Sequence, residues 1–125
     1  MIDLHTHTTA SDGTDSPAEL VNKALSAGIQ TLAITDHDST SGWAEAIATL
    51  RPPMSLVLGA EISTLTLEGI SVHILGLLFD GKHKQMQVML EETRDGRMPR
   101  MRKMVEKMQA AGIDISMADV EAARP

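Results

Sequence analysis

Between residues 2 and 38 the chain passes from strand-like to helix-like patterning and back, and that alternation constrains the fold more than any other feature of its 125 residues. Residues 2–7 form a short apolar-polar stretch, followed by the turn-rich TTASDGTDSP. Ser16 then stands as an N-cap, with Pro17 at the first helical position and Glu19 at the third, so a helix runs through AELVNKALSA and stops at Gly28. TLAITDHD reads as a buried strand, and SGWAEAIATL as a second helix closed by Pro52 and Pro53. Strand, helix and strand in this order predict parallel βα units, because a parallel neighbour needs the crossover that a helix supplies. SLVLGAEIST and ISVHILGLLFD are further strands, and the link 65–69 is too short for a crossover, so these two should pair as a hairpin.

After Asp80 and Gly81 the character changes. Residues 83–111 are charged, Met-rich and helical in spacing, with two helices meeting near Met98 and Pro99, because the residue before a proline avoids the helical region. Ser116 with Asp119 opens another capped helix. The chain thus divides into 1–80, the strand and helix alternation, and 81–125, a helical part.

A hydrophobic share of 42% suits one small globular domain or a piece of a larger one. No run of 18 apolar residues is present, and Met1-Ile2-Asp3 leads into the strand without a basic n-region or apolar h-region; a cytoplasmic protein without membrane contact is expected. The absence of cysteine removes disulfides, thiolate catalysis and Cys-ligated zinc, so any metal site must be built from His, Asp and Glu. A net charge of -6 argues against sequence-independent duplex binding. It leaves room for a phosphorylated ligand, since about three bound divalent cations reverse the local sign.

Side-chain parity gathers the candidate ligands. Residues i and i+2 of a strand share a face, about 7 Å apart, so His5 and His7 can reach one ion. In TLAITDH one face holds Thr31, Ala33, Thr35 and His37; in SLVLGAEIS, Val57, Gly59, Glu61 and Ser63 share a face opposite Leu56, Leu58, Ala60 and Ile62. His5, His37 and Glu61 each fall near the C-terminal end of a strand, where sites of parallel sheets and barrels assemble. His5, His7, His37 and His73 all read as strand residues, with Asp12, Asp36, Asp38 and Glu61 close by. Several buried imidazoles and carboxylates on one sheet must satisfy one another or hold cations. Mixed nitrogen and oxygen donors without sulfur suit Mn, Zn or Fe(II).

Asp36 and Asp38 flank His37 and point away from its face; they either receive the imidazole N–H of a ligating histidine or cap the following helix. His83 reads as a solvated residue at a helix start. Met86, Met89, Met98, Met101, Met104 and Met108 read as a plain core face, with an adaptable surface over a site as the alternative. Among Arg94, Arg97, Arg100 and Arg102, Arg97 is the choice for a bidentate phosphate contact, against a solvated face.

DLHTHTTASDGT, then LAITDHDST, GAEIS and VHILGL, closely resembles the polymerase-and-histidinol-phosphatase (PHP) family of metal-dependent phosphoesterases, over residues 2–79. The resemblance implies a distorted (β/α)7 barrel with two to three divalent metals at the C-terminal ends of its strands. By position, His5 and His7 would hold the first metal, Glu61 would bridge to a second bound also by His73, and Asp12 and His37 would bind the third. Mn is the expected metal, with Zn or Fe as alternatives. Glu61 and His7 would be catalytic by holding metals that activate a water. The order of motifs is most similar to small bacterial enzymes that hydrolyse nucleoside 3′,5′-bisphosphates and trim short RNA from the 5′ end. The resemblance therefore implies a phosphorylated small molecule or nucleotide as substrate, and short RNA beside it. The alternatives are histidinol phosphate as substrate, or a non-catalytic metal-binding or structural PHP module.

In that branch a helical insertion follows the VHILGL strand, and residues 83–125 are similar to its beginning. The family pattern draws further ligands from the second half of the barrel, including a later histidine motif and a terminal Asp-x-His. Those motifs are not in these 125 residues, so 1–80 is expected to be the N-terminal half of the barrel and 81–125 the start of the insertion. Alone, such a piece should expose apolar strand edges, hold incomplete metal shells and lack activity.

Overall fold

A computed structural model describes residues 1–123. Its elements are β1 (Ile2–Asp3), α1 (Pro17–Ser26), β2 (Thr31–Ile34), α2 (Trp43–Thr49), β3 (Ser55–Leu65), β4 (Ser71–Leu77), α3 (Lys84–Asp95), α4 (Arg97–Ala110) and α5 (Met117–Ala122). The strands form one curled sheet in the order β1-β2-β3-β4. The β1-β2 and β2-β3 pairs are parallel, Thr31 lying opposite Ile2 and Ser55; β3 and β4 are antiparallel, with Glu61 opposite Leu75 and Ser63 opposite His73. This is the N-terminal part of an α/β barrel followed by helices.

Local chemistry accounts for the elements. Ser16 accepts from the Glu19 N–H while Glu19 accepts from the Ser16 N–H, a reciprocal cap that satisfies two orphan donors of α1. Gly28 follows that helix at φ +77, where a side chain would be strained. The sheet face turned to the helices is the apolar one: Leu32 and Ile34 of β2 pack with Val21 and Ala24 of α1, Trp43 and Ala46 of α2, and Met54, and Leu56 and Leu58 of β3 close against them. The opposite parity carries Thr35, His37, Glu61 and Ser63 toward the C-terminal ends.

The first strand is shorter than its sequence pattern. The regular ladder stops at Asp3; beyond it one backbone bond, from the Thr35 N–H to the Thr6 carbonyl at 3.0 Å, joins the two segments, and threonine side chains supply the rest. Thr35 Oγ1 accepts from the Thr6 N–H and donates to the Thr6 carbonyl, while Thr6 Oγ1 donates to the Ala33 carbonyl. His5, His7 and His37 accordingly lie just beyond strand ends, and only His73 of these four is inside a strand.

The two long helices divide at Gly96, before the Met98-Pro99 position expected from sequence. Pro99 sits in the first turn of α4, where an N–H would have no intrahelical acceptor and its loss costs little. The methionines of this region do not make a core face. Leu90 and Val105 are its buried residues, whereas Met89, Met98, Met104 and Met108 are exposed. Among the described residues no helix is long and apolar enough to cross a membrane.

Candidate metal centre

Five chain segments converge at the C-terminal side of the sheet. The stretch after β1 brings His5 and His7, the loop before α1 brings Asp12, the end of β2 brings His37, and the paired strands β3 and β4 bring Glu61 and His73. Gly13 lets the loop turn tightly enough for this, since a β-carbon there would stand 2.3 Å from the His7 carbonyl oxygen. An isolated parallel bridge between His37 and Glu61 continues the β2-β3 register to the site.

Glu61 is the centre of the cluster. Its Oε2 lies 2.6 Å from His5 Nε2, 3.0 Å from His7 Nε2 and 3.8 Å from His37 Nε2, while its Oε1 lies 2.8 Å from His73 Nδ1. Asp12 reaches the other side, with Oδ1 3.3 Å from His7 Nδ1 and Oδ2 3.5 Å from His37 Nε2. The rings stand in file, with centroids 5.1 Å apart for His5 and His7, 4.6 Å for His7 and His37, and 4.9 Å for His37 and His73. Burial alone would raise the Glu61 carboxyl, but the hydrogen bond from His5, the His37 charge and the His73 hydrogen bond together hold it below its ordinary value. Burial lowers the His37 imidazole below its ordinary value, outweighing the carboxylates of Glu61 and Asp12, and so favours the neutral form that binds metal.

The donor set fits divalent cations. Four imidazoles crowd one buried carboxylate, and His7 Nδ1 and His37 Nδ1 are buried without a hydrogen-bond partner. Such a nitrogen is costly unless a cation takes it, and His7 Nδ1 faces Asp12, where an ion would satisfy both; His37 meets the carboxylates through Nε2. Tetrahedral ligands bonded at 2.0–2.1 Å stand about 3.4 Å from each other. The Asp12 contacts with His7 and His37, at 3.3 and 3.5 Å, match that spacing, whereas the 2.6 Å His5 contact has hydrogen-bond length. Three overlapping groups each keep their donor atoms within 4.8 Å: His5, His7 and Glu61; His7, Asp12 and His37; His37, Glu61 and His73. The flanks at His5 and His73 stay open, their side chains being 51% and 44% exposed.

Asp36 and Asp38 differ from both sequence expectations, since neither accepts from an imidazole and neither caps α2. Asp36 accepts from the Thr8 N–H at 2.7 Å, Thr8 Oγ1 at 2.8 Å and Ser11 Oγ at 2.7 Å, which pins the loop leading to Asp12. Asp38 accepts from the Ser63 N–H, from Ser63 Oγ and from Arg97 Nη2. The Asp36 side chain meets hydroxyls of the loop before α1, whereas Asp38, where the backbone leaves strand geometry at φ +50, turns to Ser63 and a guanidinium beside the cleft. Arg97 is therefore paired, yet it still lines a cleft of about 280 Å³ that opens onto Asp12, His37 and His73, with Arg100, Met101 and Met104 completing the wall. His83 caps α3 by accepting from the Met86 N–H and is remote from the cluster. Sequence reasoning missed Ser63 and Arg94 as parts of this neighbourhood; Ser63 shares the Glu61 face, a usable signal, whereas the Arg94 contact with the Asp38 carbonyl spans 56 positions.

The PHP domain family matches residues 3–118. A 5′-3′ exoribonuclease of Haemophilus influenzae is 44% identical over 112 residues, which cover 89% of this chain and 40% of that protein. A 3′,5′-nucleoside bisphosphate phosphatase of Chromobacterium violaceum is 39% identical over 113 residues, covering 90% of this chain and 39% of the relative. The crystal structure of a candidate metal-dependent phosphoesterase from Bifidobacterium adolescentis superposes with a TM-score of 0.81 at 38% identity, over 97% of this chain and 42% of that one. The chain spans about two fifths of the length of these relatives. A family match over nearly all of its length makes this chain a member of the PHP domain family.

Proposed function

We propose that the complete protein hydrolyses phosphate esters, removing the 3′-phosphate of nucleoside 3′,5′-bisphosphates and trimming short RNA from its 5′ end. The observation that carries the reading is the position of Glu61, whose two oxygens face different histidines, one of them, His73, lining a cleft walled by Arg97 and Arg100. His5 and His7 would hold one ion, Glu61 would join it to a second held also by His73, and Asp12 and His37 would hold a third, since these donors fall in three overlapping groups. Mn²⁺ is the proposed metal, with Zn or Fe(II) acceptable to the same donors. When bound, such ions supply positive charge to the phosphoryl oxygens and acidify a water to near neutrality.

The chain's own residues do the rest. Glu61 and His7 are the proposed catalytic residues, because they would hold the metal that activates the water. Arg97 uses one N–H on Asp38 and keeps the remaining edge of its guanidinium for a phosphate, and the apolar Met101 and Met104 beside it limit water in the cleft. The relatives named as a bisphosphate phosphatase and an exoribonuclease support nucleotide substrates.

The test is turnover by the complete protein in Mn²⁺ of three compounds in parallel: a nucleoside 3′,5′-bisphosphate, a short 5′-phosphorylated RNA and histidinol phosphate. Release from the first two is expected. Turnover of histidinol phosphate alone would assign the cleft to that substrate instead, and no turnover with metal bound would favour a structural module.

A further inference from the structure

Asp38 collects bonds that no nearby element needs. It is fully buried, yet its backbone is left-handed, at φ +50, a conformation that a non-glycine residue adopts at a cost. Its N–H donates to the Glu61 carbonyl at 3.0 Å, and its carboxylate accepts from the Ser63 N–H at 2.7 Å and from Ser63 Oγ at 2.8 Å. Those bonds tie the residue after His37 to β3 at Glu61 itself and two residues beyond it. The other arms reach across the molecule. Arg97 Nη2 donates to the carboxylate and Arg94 Nη1 donates to the Asp38 carbonyl.

The two arginines bracket Gly96, the break between α3 and α4. Arg97 is badly placed for its own helix. It occupies the first position of α4, where the helix dipole favours an acid, and α4 has no acidic residue in its first turn and no side-chain cap. A cation at that end is tolerable because the Asp38 carboxylate lies against it. From the same turn, Arg97 and Arg100 line the cleft above His37 and His73.

We propose that Asp38 is a positioning residue, which pins the α3-α4 junction onto the metal-ligand strands and thereby sets Arg97 at the cleft edge where an anionic substrate enters. The part that concerns substrate rests on the phosphoesterase reading above; the pinning itself does not. Asp38→Asn is the suitable variant, because asparagine tolerates the left-handed backbone and keeps one acceptor for Ser63 while removing the charge that holds Arg97.

Two readouts on the complete protein separate the pinning from the chemistry. Hydrogen exchange of Asp38→Asn should quicken about tenfold or more for amides in 84–110, with α1 and β2 unchanged. In turnover of a nucleoside 3′,5′-bisphosphate, Asp38→Asn should raise KM about tenfold and lower kcat much less. Arg97→Gln should raise KM similarly, and Asp38→Asn should add nothing in the Arg97→Gln background. Unchanged exchange in 84–110 would overturn the proposal, as would additive KM effects or a fall in bound metal and kcat with KM constant. If the wild-type protein releases no phosphate, the functional reading fails, while the exchange result still decides the pinning. Arg94→Gln removes one arm without leaving a buried charge unpaired, so it carries the exchange test should Asp38→Asn not fold.

Discussion

Each aspartate beside His37 holds a loop rather than a ring. Asp36 is fully buried and is satisfied by one backbone N–H and two hydroxyls, all from residues 8–11. Replacing it with alanine strands the Thr8 N–H in the interior and should cost about 2–4 kcal/mol in urea unfolding of the complete protein. Metal affinity should fall with it, because the loop it pins leads to Asp12. Asp38 makes a pH signature. Burial pushes its carboxyl up, but the Ser63 N–H, the Ser63 hydroxyl and Arg97 outweigh that and hold it below its ordinary value of 3.8. The folded pKa is thus below the unfolded one, so its contribution is complete above about pH 4 and lost as pH falls through the folded value. Thermal melting between pH 6 and pH 3 should show a smaller acid loss for Asp38→Asn than for wild type; equal losses would remove Asp38 from the acid response. The convergence of these side chains was legible, since spacing paired His5 with His7 and parity put His5, His37 and Glu61 on polar faces near strand ends. The partners of the aspartates were not, because those contacts span 25 to 59 positions and have no local spacing to betray them.

At the scale of elements, β2 is the lever. Leu32 and Ile34 fill the core on one side, and the same four-residue strand runs into Thr35, Asp36 and His37. Ile34→Ala should destabilise the protein by about 2–5 kcal/mol, since a fully buried side chain leaves a cavity that α1 and α2 cannot close. Denaturant unfolding checks the size of the effect, and metal binding should weaken in parallel if the strand positions the ligands. The order of strands and helices, the reciprocal cap at Ser16 and the β3-β4 hairpin all follow from local patterning. Two boundaries did not. After Asp3 threonine side chains reinforce a single backbone bond in place of a regular ladder, and Gly96 rather than the residue before Pro99 divided the helices, because a first-turn proline breaks nothing.

At the scale of the whole molecule, β4 shows what these residues lack by themselves. It pairs with β3 on one edge, and Ile70, Val72, Ile74, Leu75, Leu77 and Leu78 around it are all exposed. A run of apolar side chains on an edge strand invites pairing with another chain. A polypeptide of these 125 residues should therefore associate as concentration rises in sedimentation velocity, whereas a chain of the relatives' full length should not; concentration-independent sedimentation of the short form would show that β4 needs no cover. The open flanks at His5 and His73 make the same point for the metal centre. The most direct test of that centre is phosphate release from a nucleoside 3′,5′-bisphosphate by the complete protein in Mn²⁺, beside its Glu61→Ala variant with metal content measured on both. Release by the wild type, with the variant folded, depleted of metal and slower by several orders of magnitude, is the expected result. Equal release, or equal metal content, would contradict the assignment of Glu61 as the carboxylate that joins the metal sites.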